Sequence, residues 1–164
     1  MTKIGLLSDT HGHIDDKLFE FFNDVDEIWH AGDIGSYEVY SVLSEFKKFR
    51  GVYGNIDDYL IRGELDEDIR FMCEGMDVWI RHIGGYPGKY DWSIREKIEK
   101  NPPDLFICGH SHILKVMNDK TLKLLHINPG AYGKSGLHYV RTAVKFEIHD
   151  NKVSNLNILE IKRK

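Results

Sequence analysis

Short apolar runs alternate with polar turns along this chain, and the period of the pattern changes as the chain proceeds. Lys3 to Ser8 is nearly continuous in apolar residues, the pattern of a strand covered on both faces. Asp15 or Asp16 then offers an N-cap for a helix to about Asn23, with Leu18, Phe19, Phe21 and Phe22 along its buried stripe. Glu27 to His30 is a second strand. Ser36 can cap a second helix, in which Val39, Val42, Leu43 and Phe46 recur at helical spacing. Arg50 to Tyr53 reads as a third strand, so the first third predicts β-α-β-α-β with parallel pairing.

The middle changes character. Ile69 to Cys73 and Val78 to His82 flank the turn Glu74 to Asp77, a hairpin signal. Asp91 to Lys100 predicts a helix stopped by Asn101-Pro102-Pro103, and Leu105 to Cys108 a buried strand. The runs Leu114 to Met117, Leu122 to Ile127, Val140 to Ile148 and Val153 to Ile161 alternate with tight turns, which predicts an antiparallel meander for the C-terminal third. An α/β fold satisfies both halves: two mixed β-sheets face to face with helices outside, four layers in all. One domain over residues 1–164 is the expectation for this length.

Composition narrows the setting. Hydrophobic residues make up 41% and charged residues 29%, an ordinary globular balance. The net charge of −4 and the lack of a basic tract argue against long nucleic acid and anionic membrane as partners. No apolar run is long enough to span a bilayer, and the first strand starts too early to leave room for a signal peptide. Cys73 and Cys108 both lie in strand-like runs and read as buried thiols of a cytoplasmic protein.

Five polar clusters then stand out, each at the end of an apolar run: Asp9-Thr10-His11, Gly32-Asp33, Gly54-Asn55, His82 and Gly109-His110-Ser111-His112. Folding alone does not ask for Asp, Asn and His at five strand ends. Taken singly, each fragment has an ordinary use as a turn or cap. Together they occupy the place where loops of α/β folds build sites. Carboxylate, carboxamide and imidazole suit borderline divalent ions such as Mn²⁺, Fe or Zn²⁺ better than Ca²⁺. The ligand count matches two cations about 3.5–4 Å apart, a spacing that stabilises charge on an attacked phosphoryl group.

The order D-x-H, G-D, G-N, H, G-H-x-H resembles the calcineurin-like metallophosphoesterase family over nearly the whole chain, and Asn128-Pro129-Gly130 resembles its small single-domain bacterial and archaeal branch. The resemblance implies a metal-dependent phosphoesterase, a phosphodiesterase in the first instance, in which hydroxide bridging two divalent metals attacks phosphorus in line. By motif, Asp9, His11 and His112 would hold the first metal. Asn55, His82 and His110 would hold the second, and Asp33 would bridge them. Asp33, Asn55 and His110 are carried over as catalytic as well. Mn²⁺ is the metal the resemblance implies, with Fe, Zn²⁺ or Ni²⁺ as alternatives.

Two departures bear on substrate. Many relatives follow the Asn with a His that protonates the leaving group, a role typically worth 10²–10⁴-fold. Here that residue is Ile56, which leaves His13 and His138 as candidate donors. The second departure is His82-Ile83-Gly84-Gly85, where the glycine follows later than usual and the loop continues through Tyr86 to Trp92. Lys89 in that loop is the candidate to meet phosphate, and its aromatics could stack on a base. The alternatives carried forward are a phosphomonoesterase or pyrophosphohydrolase, and a non-catalytic protein-interaction scaffold, since a eukaryotic retromer subunit has this fold with an impaired metal site. Tyr37 and Tyr40 on the second helix offer a homodimer contact.

Overall fold

The computed structural model of the protein describes residues 1–163. In chain order its elements are β1 (Thr2–Leu7), α1 (Asp16–Phe21), β2 (Glu27–His30), α2 (Tyr37–Phe46), β3 (Lys48–Gly51), α3 (Tyr59–Arg62), β4 (Asp68–Cys73) and β5 (Met76–Arg81). There follow β6 (Gly85–Tyr86), β7 (Lys89–Tyr90), α4 (Arg95–Lys100), β8 (Leu105–Ile107), β9 (Leu114–Asp119), β10 (Leu124–Pro129), β11 (Val140–His149) and β12 (Lys152–Lys162). Asp15 and Ser36 are the N-caps of α1 and α2, accepting from Leu18 N and Val39 N. These short polar side chains satisfy backbone donors that the first helical turn leaves free.

One sheet runs β12-β11-β1-β2-β3 and the other β4-β5-β8-β10-β9. In the first, β1, β2 and β3 pair in parallel while β11 pairs antiparallel to β1. In the second, β5, β8 and β10 are parallel, with antiparallel β4 and β9 at the edges. Ile4, Leu6, Trp29, Val78, Ile80, Ile107 and Ile127 fill the space between the sheets. Leu7, Leu18, Phe22, Ile28, Val39 and Leu43 join the helices to the outer face of the first sheet. Trp79, Ile94, Ile98 and Phe106 do the same for α4 on the second, so the molecule is a four-layer α/β sandwich. The parallel order of β1-β2-β3 and of β5-β8-β10 sends six strand ends to one edge.

Four expectations change. The C-terminal third is not one meander: β9 and β10 belong to the second sheet, β11 and β12 to the first. Hydrophobic alternation marks a strand but does not say which sheet takes it. The helix expected from Asp91 starts at Arg95, because the Asp91 carboxylate binds Ser93 N and Oγ and spends those residues in a turn. The third strand is Lys48–Gly51 rather than Arg50 to Tyr53, and α3 and the β6-β7 hairpin were not foreseen. Of the two tyrosines on α2, Tyr37 is exposed, whereas Tyr40 packs edge-on against Phe49 and offers little to a partner. No helix among the described residues is long and apolar enough to cross a membrane.

Candidate metal centre

The loops that end β1, β2, β3, β5 and β8 are stitched to one another by backbone hydrogen bonds. Asp9 N donates to Gly32 O at 2.9 Å, His11 N to Asp33 O at 3.1 Å, and Gly109 N to His82 O at 3.0 Å. Gly133 N, beyond β10, adds a bond to Asp9 O at 2.9 Å. The left-handed backbone does the rest. Asp9, His11, Asp33, His110 and His112 all have positive φ, between +46° and +71°. For a residue with a Cβ this costs roughly 1–2 kcal/mol, and five such residues in one place point to a site that the surrounding fold holds in shape.

Asp9 is fully buried. Its Oδ2 accepts from Ser8 Oγ at 2.6 Å and from His110 N at 3.0 Å. Its Oδ1 makes no hydrogen bond, yet lies 3.2 Å from His112 Nε2, 3.7 Å from His11 Nε2 and 3.8 Å from His82 Nε2. Asp33 divides its work in the same way. Oδ1 accepts from Ile56 N at 3.0 Å, while Oδ2 stands 3.2 Å from His82 Nε2 and 3.5 Å from His11 Nε2. Donor atoms thereby fall into two sets, Asp9-His11-His112 and Asp33-His82-His110, each within 4.8 Å. Asp33 Oδ2 faces a histidine from either set, the placement a bridging carboxylate needs. Asn55 is exposed and lines the cleft beside His82.

The sets suit divalent cations. Asp9 Oδ1, His11 Nε2 and His82 Nε2 are buried without a hydrogen-bond partner, which is unfavourable unless something satisfies them. A cation satisfies a carboxylate oxygen and an imidazole lone pair at once. The ring nitrogens turned away from the centre are fixed: His82 Nδ1 lies 2.7 Å from Ala31 O, a bond in which the nitrogen donates and which leaves Nε2 its lone pair. Two glycines give the ligands room. A Cβ on Gly54 would collide with the Asp33 carboxylate and backbone nitrogen, and one on Gly32, at φ +103°, would come within 2.6 Å of His82 Nδ1.

Charge in the centre is strongly coupled. Burial alone would raise the Asp9 carboxyl, but the imidazoles of His11, His112 and His82 outweigh it and hold Asp9 well below the usual carboxylate range. His11 is raised, first by Asp9. His82 is raised too, Asp33 and Asp9 overcoming the desolvation that opposes them. Deeper in, His30 is fully buried and held neutral, pushed down to about 3 by desolvation. Its Nδ1 accepts from Gly32 N at 3.1 Å, so Nε2 donates to Thr10 Oγ1 at 3.0 Å, and Thr10 Oγ1 in turn donates to Ile34 O at 2.8 Å. His126 is likewise pushed down to about 4 by burial. Both values lie below 6.5, so between pH 6.5 and 4 the unfolded chain binds two protons the native one does not. The contribution of these two groups is therefore full above pH 6.5 and falls on acidification, by up to about 2.7 kcal/mol per pH unit, whereas the raised His11 and His82 act in the opposite sense, adding stability that is complete below pH 6.5 and lost as pH rises. Urea midpoints of the metal-free protein at pH 6, 5.5 and 5, where the raised His11 and His82 are mostly protonated in both states, measure the contribution of His30 and His126, and midpoints unchanged over that range would contradict it. His126 lies 4.0 Å from Cys108 Sγ, whose thiol burial pushes up to about 12, so this pair is no nucleophilic dyad.

The substrate-side candidates separate. His13 Nε2 sits 3.4 Å from Asp15 Oδ2, and Asp15 is held by Arg141 Nη2 at 2.9 Å and Tyr132 Oη at 2.5 Å. His13 thus stands beside a neighbouring network, its Nε2 buried without a hydrogen-bond partner, and lines neither cleft beside the centre. Lys89 is exposed on β7 and also lines neither; the lysine that does is Lys115. His138 has both ring nitrogens engaged. Nε2 donates to Gly133 O at 2.8 Å, which leaves Nδ1 to accept from His112 Nδ1 at 3.2 Å and aims the His112 Nε2 lone pair at Asp9. This geometry ties His138 to the orientation of the His112 ring. His138→Ala should weaken divalent-metal binding about 10–100-fold, read by calorimetric titration; unchanged affinity would separate it from the centre.

Sequence reasoning passed over four supports. Asp57, nearly buried, accepts from Ile34 N, Gly35 N and Gly54 N at 3.1, 2.8 and 2.8 Å and ties the loop after β2 to the loop after β3. Asn128 donates to Gly109 O and Ser111 Oγ, each at 3.0 Å, and steadies the loop after β8. Ser8 and Thr10 are the others. An Asp three residues past Gly54 was a visible turn signal, and Asn128 stood in the Asn128-Pro129-Gly130 motif; nothing local marked Ser8 or Thr10.

Residues 2–151 match the calcineurin-like phosphoesterase superfamily domain. A probable metallophosphoesterase of Methanothermobacter thermautotrophicus is 31% identical over 136 residues, 78% of this chain and 76% of that protein. The solved structure of a novel archaeal phosphodiesterase superposes with a TM-score of 0.75 at 25% identity, covering 96% of this chain and 99% of that one. Vps29 of Chaetomium thermophilum superposes with a TM-score of 0.75 and full coverage of both chains at 10% identity, a likeness of fold alone.

Proposed function

The chain belongs to the calcineurin-like phosphoesterase superfamily, and from that premise we propose that it is a phosphodiesterase using two divalent metal ions, of which Mn²⁺ is our assignment. The observation that supports the diester reading is the pair of clefts beside His82 and His110. One, about 210 Å³, is lined by Tyr53, Asn55, Arg62 and His82. The other, about 180 Å³, is lined by Ile83, Tyr86, His110 and Ser111. A phosphorus between them has space for two ester arms, whereas a monoester would leave one cleft unused.

Asp9, His11 and His112 would hold one ion, Asn55, His82 and His110 the other, with Asp33 shared. Metals so held supply Lewis-acid stabilisation of phosphoryl charge and lower the pKa of bound water. The residues themselves fix geometry: the left-handed turns aim the ligands, and Ala31 O and His138 set the tautomers. With Ile56 unable to donate, Ser111 is the hydroxyl beside His110. Its oxygen already accepts from Ile113 N at 3.2 Å and Asn128 Nδ2 at 3.0 Å, so its proton is free for a substrate oxygen.

The test is hydrolysis of bis-(p-nitrophenyl) phosphate and p-nitrophenyl phosphate by chelator-stripped protein, with and without Mn²⁺. Metal-dependent turnover that is faster on the diester is expected. Faster monoester turnover would overturn the diester assignment, and no turnover with any divalent ion would leave the non-catalytic scaffold.

A further inference from the structure

The second cleft has the features of a specificity pocket, and its walls differ from those of the first. Ile83, Gly85, Tyr86, Ser111, Ile113 and Lys115 surround it, with His110 at its inner end. At about 180 Å³ it is smaller than the ~300 Å³ at which pockets begin to take a whole drug-sized ligand, so it suits one arm of a substrate. Tyr86 stands on the β6-β7 hairpin and is 40% exposed. Lys115 Nζ, from the edge strand β9, lies 4.1 Å from the centre of its ring. That contact holds the ring in place by cation–π attraction. Among the described residues no other ring or cation stacks on Tyr86. Ile113 adds apolar surface that is 61% exposed. Glycines at 84, 85 and 109 keep the slot free of side chains between these walls.

A small cleft lined by an aromatic ring, two isoleucines and the candidate ligand His110 suits a planar, apolar-faced group attached to phosphate. Resting on the phosphodiesterase reading, we infer that this cleft binds the aromatic arm of the substrate, a nucleobase or a simple aryl ester, with Tyr86 as the stacking wall. The first cleft, walled by Arg62, Glu67 and Arg81, takes the polar arm. Base–aromatic stacking is worth enough to change affinity about tenfold or more.

Calorimetric titration of the Mn²⁺-loaded protein with methylphosphonate, phenylphosphonate and thymidine 5′-monophosphate tests this without relying on turnover. Phenylphosphonate should bind about tenfold more tightly than methylphosphonate. Tyr86→Ala should shrink the difference to less than about twofold, and Tyr86→Phe should retain it. Thymidine monophosphate binding as tightly as phenylphosphonate would identify a nucleobase as the arm, and binding as weakly as methylphosphonate would identify a smaller aryl group. Equal affinities for the phenyl and methyl compounds, or a preference that survives Tyr86→Ala, would overturn the inference. Hydrolysis of the diester without a phenyl preference would sink this pocket alone; a phenyl preference without hydrolysis would sink the phosphodiesterase reading alone.

Discussion

Asp33→Asn should lower kcat on a phosphodiester by about 10³-fold or more and reduce the bound metal, while leaving the fold in place. The carboxamide keeps an oxygen to accept from Ile56 N, which now reaches Asp33 Oδ1 at 3.0 Å. Asparagine also tolerates the left-handed backbone at φ +57° better than most residues. What it loses is the negative oxygen between His11 and His82, at 3.5 and 3.2 Å. A neutral carboxamide cannot bridge two cations comfortably. Several kcal/mol of charge stabilisation go with the metals, and about 1.4 kcal/mol is tenfold in rate. Metal analysis and steady-state kinetics on one preparation check both parts. A variant with full activity would show that Asp33 does not bridge.

Asp57→Ala should be the most destabilising single change near the centre. Its carboxylate serves three backbone donors from two loops, and alanine leaves Ile34 N, Gly35 N and Gly54 N without acceptors. At about 1–2 kcal/mol each the loss is about 3–6 kcal/mol, which for a chain of this size lowers Tm by about 6–24 °C. Because Gly54 abuts Asp33, metal binding should weaken in step. Calorimetric melting of the variant checks the figure. A Tm within 2–3 °C of the parent would mean that water or backbone movement replaces the carboxylate.

The legible part of this protein was local. Runs such as Lys3 to Ser8 declare buried strands because apolar residues on successive positions must be covered on both faces, and the β-α-β-α-β order follows from capped helices between them. The seven candidate ligands were visible because Asp, Asn and His have no folding reason to sit at five strand ends. What sequence pattern could not carry was long-range or conformational. Sheet membership of β10 and β11 depends on a crossover that no period records. The left-handed backbone at Asp9, His11, Asp33, His110 and His112 is imposed by neighbouring loops, since none of these types demands it. His138 and Lys115 act through partners 26 and 29 residues away, His112 and Tyr86, and so their tasks emerged only with the fold.

Stepwise addition of Mn²⁺ to chelator-stripped protein, with bound metal and hydrolysis of bis-(p-nitrophenyl) phosphate followed on the same samples, tests the centre most directly. The arrangement of Asp9-His11-His112 and Asp33-His82-His110 around a shared carboxylate predicts saturation at two ions per chain, with turnover rising mainly on the second. Saturation and full turnover at one ion would contradict the two-metal centre.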